Sequence, residues 1–173
     1  MPDANDQLPG PIYQDENGTD HVFYATLHPG DPEDAPVAGV RDIQYTRDGS
    51  YLRLKVHKDG TREVEFPDGT VRKFDTSKRL VEIRDSFNNK LTVSYATANQ
   101  WVLTDSQGRV QKVFFRTDLP SYSQVVDHID LTAFGGTTAT YQFDYAVKTI
   151  GRACRTTTTI RRAVSGAPFP CRC

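Results

Sequence analysis

The sequence predicts an all-β fold: antiparallel β-hairpin repeats stacked as a curved sheet or partial β-shell, with no substantial helix. Three observations predict it. A turn recurs, first as Arg47-Asp48-Gly49-Ser50, then Lys58-Asp59-Gly60-Thr61 and Pro67-Asp68-Gly69-Thr70, with weaker echoes at Phe87-Asn88-Asn89-Lys90 and Ser106-Gln107-Gly108-Arg109. Short runs of alternating apolar and polar residues lie between these turns. The runs also recur at a near-constant interval. Asp85 and Asp105 end equivalent strands 20 residues apart, and Phe74, Tyr95 and Phe115 end the alternate strands at intervals of 21 and 20. A unit of two strands and two turns cannot bury its own apolar face, so it must stack on its neighbours.

The elements follow in order. Residues 1–39 form a Pro- and Asp-rich segment with one strand, His21 to Leu27, and a loop from His28 to Pro36 whose three prolines forbid a ladder. Residues 40–150 form the repeat region. Tyr51 to Val56 puts Leu52, Leu54 and Val56 on one face, and the Asp59-Gly60 turn returns the chain as Arg62 to Phe66 with Val64 and Phe66 inward. Further strands are expected at 70–75, 80–85, 91–95, 101–105 and 110–115. Residues 116–124 read as a loop. A last hairpin joins 125–132 to 139–145 through Gly135-Gly136, with Tyr141, Phe143 and Tyr145 on one face. Residues 151–173 lose the alternation, 163–170 read as coil, and the segment is expected to be a poorly ordered basic tail.

Gly49, Gly60, Gly69, Asn89 and Gly108 are the expected structural turn positions, because Asp-Gly and Asn-Asn tolerate a positive φ. Phe74, Tyr95, Trp101, Phe115, Tyr141, Phe143 and Tyr145 are the expected repeat-core aromatics.

Composition narrows the function classes. The 173 residues are 37% hydrophobic, and the mean hydropathy of -0.56 suits a half-solvated sheet with one wet face. A net charge of -1 gives the whole chain no electrostatic case for nucleic acid or an anionic membrane. The charge is uneven: residues 1–36 hold eight acidic residues and no Lys or Arg, and after Asp144 only basic ones occur. The start lacks the basic and apolar regions of a signal peptide, and no run is long enough to span a membrane. The three cysteines, Cys154, Cys171 and Cys173, cluster at one end and make neither a disulfide framework nor a zinc pattern.

The same search turns up no catalytic, cofactor or metal constellation. His21, His28, His57 and His128 lack ligand spacing. Asp15-Glu16-Asn17-Gly18-Thr19-Asp20 opens like a calcium loop, but its glycine comes at position 4 and position 12 is Thr26, so it reads as an Asn-Gly turn. Asp85 and Asp105 have the residue type of a glycosidase pair, yet their equivalent repeat positions point to turn capping. The alternative to a purely structural part is a glycan- or protein-binding face made by Tyr141, Phe143 and Tyr145 with Tyr13, Tyr24, Phe23 and Trp101.

Residues 65–115 resemble the RHS/YD-repeat family of bacterial polymorphic-toxin and cell-surface proteins. The residues that carry the resemblance are Asp68-Gly69-Thr70, Phe74-Asp75, Arg79-Leu80, Ile83-Arg84-Asp85, Asn88-Asn89 and Val93-Ser94-Tyr95. They continue with Trp101, Thr104-Asp105, Gly108-Arg109-Val110 and Val113-Phe114-Phe115. The hairpin from Thr138 to Tyr145 is similar to linking segments in long members. Two departures, Ser77-Lys78 where the family has glycine and Ala96 where it has aspartate, leave room for an irregular turn or a register slip. The resemblance implies a non-catalytic segment of a large exported or cell-surface protein. Its implied partners are neighbouring repeats and an encapsulated C-terminal payload. The family's autoproteolytic aspartates have no counterpart motif in this sequence.

Overall fold

The computed structural model describes residues 10–119, 124–148 and 159–163. These form β-strands and turns with no α-helix among them. The strands are β1 (Ile12–Gln14), β2 (Asp20–Tyr24), β3 (Val40–Thr46), β4 (Arg53–His57), β5 (Arg62–Glu65), β6 (Val71–Phe74), β7 (Leu80–Arg84), β8 (Lys90–Thr97), β9 (Gln100–Asp105), β10 (Val110–Arg116), β11 (Val125–Thr132), β12 (Thr138–Gln142), β13 (Asp144–Lys148) and β14 (Thr159–Ala163). Strands β1 to β12 hydrogen-bond in chain order in one open antiparallel sheet, and β13 pairs with β14 in a second. The all-β, hairpin-built fold class expected from the alternation is the one observed.

Two compact units divide the chain: 1–94 with 104–108, and 95–103 with 109–173. In the first unit, the alternation of β4 and β5 buries Leu52, Leu54, Val56 and Val64 together with Phe23 of β2, each 3% exposed or less. Tyr13 of β1, Phe66 and Phe74 pack against this cluster. The hairpin β1–β2 therefore lies over the core face of β4–β6, and Tyr13 meets Phe66 and Phe74 edge-on, at 6.1 Å each between ring centroids. Burying five such side chains is the largest stabilising contribution visible here, at about 1.5–3 kcal/mol apiece.

On the outer face, cross-strand charges alternate. Arg53 stands opposite Glu65 and Lys55 opposite Glu63. Glu65 accepts from Arg53 and Lys55, and Lys73 pairs with Glu63 at 3.0 Å. Burial raises the Glu65 carboxyl pKa, and the two cations outweigh it and hold it below the usual carboxylate value.

The second unit has no comparable core. Past Val71, none of the residues whose burial is described is buried. Its ordering comes from ladder pairing and aromatic contacts. Strand β10 pairs with β11 across a bulge, with Phe114 opposite His128 and Phe115 opposite Val126.

Several differences from the sequence expectations have physical causes. Strands β1 and β3 carry mixed polar and apolar residues, so alternation misses them; Arg41 and Asp42 sit at a register shift within β3. The expected strand 139–145 divides at Phe143. Strand β12 ends at Gln142 opposite His128, the Phe143 N–H donates to the Asp127 carbonyl, and β13 then pairs with β14. Strand β14 lies inside the segment expected to be an unordered tail; the rest of residues 151–173 lies outside the described residues, as do all three cysteines.

Candidate functional site

The repeated turn is the most regular local structure in the chain. In residues 15–19, 57–61, 66–70, 75–79 and 85–89, the first residue's N–H donates to the fifth residue's carbonyl, and the fourth residue's N–H donates to the first residue's carbonyl. This is a three-residue hairpin loop whose fourth residue takes a left-handed conformation. That residue is Gly18, Gly60, Gly69, Lys78 or Asn88 in turn, and Gly108 and Gly49 adopt the same backbone sign. The positive φ in the fifth of these loops, 67°, falls on Asn88 and not on the expected Asn89.

An aspartate locks each loop, in one of two ways. Asp15, Asp75 and Asp85 stand first, and their Oδ1 atoms accept the N–H four residues on, at 2.8–2.9 Å. Asp59 and Asp68 stand third, and accept from the N–H of Thr61 and Thr70 at 2.9 and 2.8 Å. Such bonds favour the ionised carboxyl, and all five lie below the usual aspartate pKa. Asp105 accepts from the Gln107 N–H in the same manner. Asp85 and Asp105 thus act as turn caps, as expected from their equivalent positions.

Turns on one side of the sheet also touch. A Cβ on Gly69 would lie 2.9 Å from the Ser86 Cβ, and one on Gly60 would lie 3.4 Å from the Thr76 methyl. The Lys90 N–H donates to the Ser106 hydroxyl at 2.5 Å. Thr76, Ser86 and Ser106 each follow a capping aspartate. The Asp-Ser and Asp-Thr dipeptides are a signal that sequence reading passed over.

The expected core aromatics separate into groups. Phe74 packs on the first unit's core. Tyr95, Trp101 and Phe115 come together, with Trp101 5.7 Å from Tyr95 and 4.7 Å from Phe115 between ring centroids. Tyr141 is exposed on β12, Phe143 lies at the strand break, and the Tyr145 hydroxyl donates to the Val126 carbonyl. Of the other aromatics named for a binding face, Phe23 is 1% exposed, Tyr13 packs on the core, and the Arg47 guanidinium lies 4.5 Å over the Tyr24 ring.

Two of the histidines lie against carboxylates. His21 Nδ1 lies 2.7 Å from Asp48, and His128 pairs with Asp127 at 2.7 Å while stacking on Phe114. Burial raises the Asp48 pKa, but bonds from Ser50 and His21 outweigh it and hold it at about 2. Among the described residues there is no cluster of His, Cys, Asp or Glu that could hold a metal, and no helix long and apolar enough to cross a membrane. No family model, curated protein or solved structure matches this chain.

The first unit also holds a concave site with mostly apolar walls. A cavity of about 470 Å³ lies between the β1–β2 hairpin and the sheet, walled by Ile12, Tyr13, Phe23, Leu54, Val64 and Phe74. Its only charged lining residues are Arg62 and Lys78. Sequence reading did not single out either as a site.

Proposed function

We propose that this chain is a structural segment of an RHS/YD-type β-shell, without catalysis of its own, in a large exported or cell-surface protein. The observation that carries this reading is the persistence of one turn geometry through a sheet whose strands pair only with chain neighbours, while apolar positions past Val71 stay at best half-buried. Leu91, Val93 and Tyr95 alternate with exposed Lys90, Thr92 and Ser94, as wall strands would if further repeats covered one face. The partners are neighbouring repeats and a payload held inside the shell.

The test is the size of the native product, read by immunoblot with antibody to residues 40–115 and mass spectrometry of the band. A product of many hundreds of residues supports the shell segment. A stable product ending at Cys173 overturns it.

The exposure of Trp101, 40%, at the centre of its aromatic cluster favours a second reading: a small β-module that binds glycan through that cluster. A glycan array on which the Trp101→Ala variant gives the same signal as the parent removes it.

A further inference from the structure

We propose that the cavity beneath the β1–β2 hairpin binds an amphipathic anion, an acyl chain ended by a carboxylate. The core face of β5 and β6 carries two arginines, and the structure treats them differently. Arg72 stands opposite Val64. It donates to Glu16 at 2.8 Å and to the Tyr13 hydroxyl, and its guanidinium lies 4.7 Å over the Phe66 ring. Arg62 stands between Val56 on one side and Phe74 on the other. Val56 belongs to the buried core and Phe74 packs on it, so Arg62 faces the same way, yet it has no acidic partner among the described residues. Arg62 is half-buried on the lining, so its guanidinium is available to an anion that enters the cavity.

The second cation is Lys78, and its backbone marks it out. It holds φ 65° at the loop position filled by glycine at 18, 60 and 69 and by Asn88 in the 85–89 loop. A lysine is disfavoured there relative to glycine. Lys78 also has no acidic partner among the described residues, whereas its neighbour Arg79 pairs with Asp75 at 2.8 Å. Lys78 is exposed on the lining, where its ammonium can reach the head of an anion that Arg62 also meets. No carboxylate lines the cavity, and its size lies within the range of small-molecule sites. The apolar walls take the chain, and Arg62 and Lys78 take the head.

The experiment titrates the full chain with octanoate and with 1-octanol, following the methyl resonances of Leu54 and Val64. Saturable shifts are expected with octanoate, with octanol binding weaker by about threefold to tenfold, the range of a partly solvated charge contact. Arg62→Gln should narrow the difference between the two ligands, and the double variant with Lys78→Gly should abolish it. Lys78→Gly should weaken octanoate binding while keeping or raising the unfolding midpoint, because it relieves the left-handed strain. That opposite pair of effects separates lost binding from lost folding. Three results would overturn the proposal: no saturable shift in the parent, equal affinity of the parent for octanoate and octanol, or unchanged octanoate affinity in both variants.

Discussion

At Gly69 a single methyl group decides two things at once. Its φ of 85° disfavours any L side chain, and a Cβ there would meet the Ser86 Cβ at 2.9 Å. Gly49 has the same φ with nothing near its Cβ position. Gly49→Ala should therefore cost about 1 kcal/mol, from backbone strain alone. Gly69→Ala should cost about 1–2 kcal/mol more, because turn must part from turn. Urea midpoints of the two variants compare them directly, and Ser86→Gly in the Gly69→Ala background should recover part of the difference. Equal losses would show that the two turns do not bear on each other. A second residue-scale expectation concerns acid. Folding favours the charged form of Asp48, so its stabilisation is complete above its ordinary pKa of 3.8 and is lost as pH falls toward about 2. The capping aspartates shift in the same direction. Denaturation midpoints should fall through that window, and Asp48→Asn should flatten the fall; a profile unaffected by the variant would contradict the contact with Ser50 and His21.

At the scale of elements, the two units should respond differently to the same kind of change. Leu54 and Val64 are 2% exposed within a packed cluster, whereas Leu91 and Val93 are half-buried on a face without a second layer. Leu54→Ala should cost about 2–4 kcal/mol and Leu91→Ala less than about 1 kcal/mol. Comparable losses would mean that the β8 face is covered after all. The same contrast explains what sequence could and could not show. Strands β4 to β10 were legible because a period of two runs through them and an aspartate-capped loop separates most of them. Strand β3 was not, since Arg41-Asp42 breaks the alternation. Phe143 looked like the middle of a strand because alternation reports which face a side chain takes, never which strand it pairs with. The cavity was invisible for a related reason. Arg62 alternates in register with Val64 and Phe66, and only the fold over of Tyr13 shows that its face is an interior one.

Among the described residues, the strand order ends at β1 and β12, each with one neighbour in the sheet. An uncovered edge invites pairing with another chain. The isolated chain should self-associate across a dilution series in light scattering, and Tyr141→Lys on β12 should reduce the association, since lysine on an edge strand opposes further pairing. A monodisperse monomer at every concentration would count against both the open edge and the shell-segment reading.

The turn ladder also bears on how such a chain could change length over time. From β1 to β12 each strand pairs only with the strands before and after it, and the loops at 57–61, 66–70 and 85–89 each meet the next loop on the same side. An in-frame duplication of about one repeat would therefore insert two strands and two loops that find the partners they already have. Placed past β7, such an insertion would leave the contacts of Tyr13 and Glu16 with Phe66, Phe74 and Arg72 in place. Length, in a sheet of this kind, can change by whole hairpin pairs, and chains that differ by such pairs should keep the same first unit.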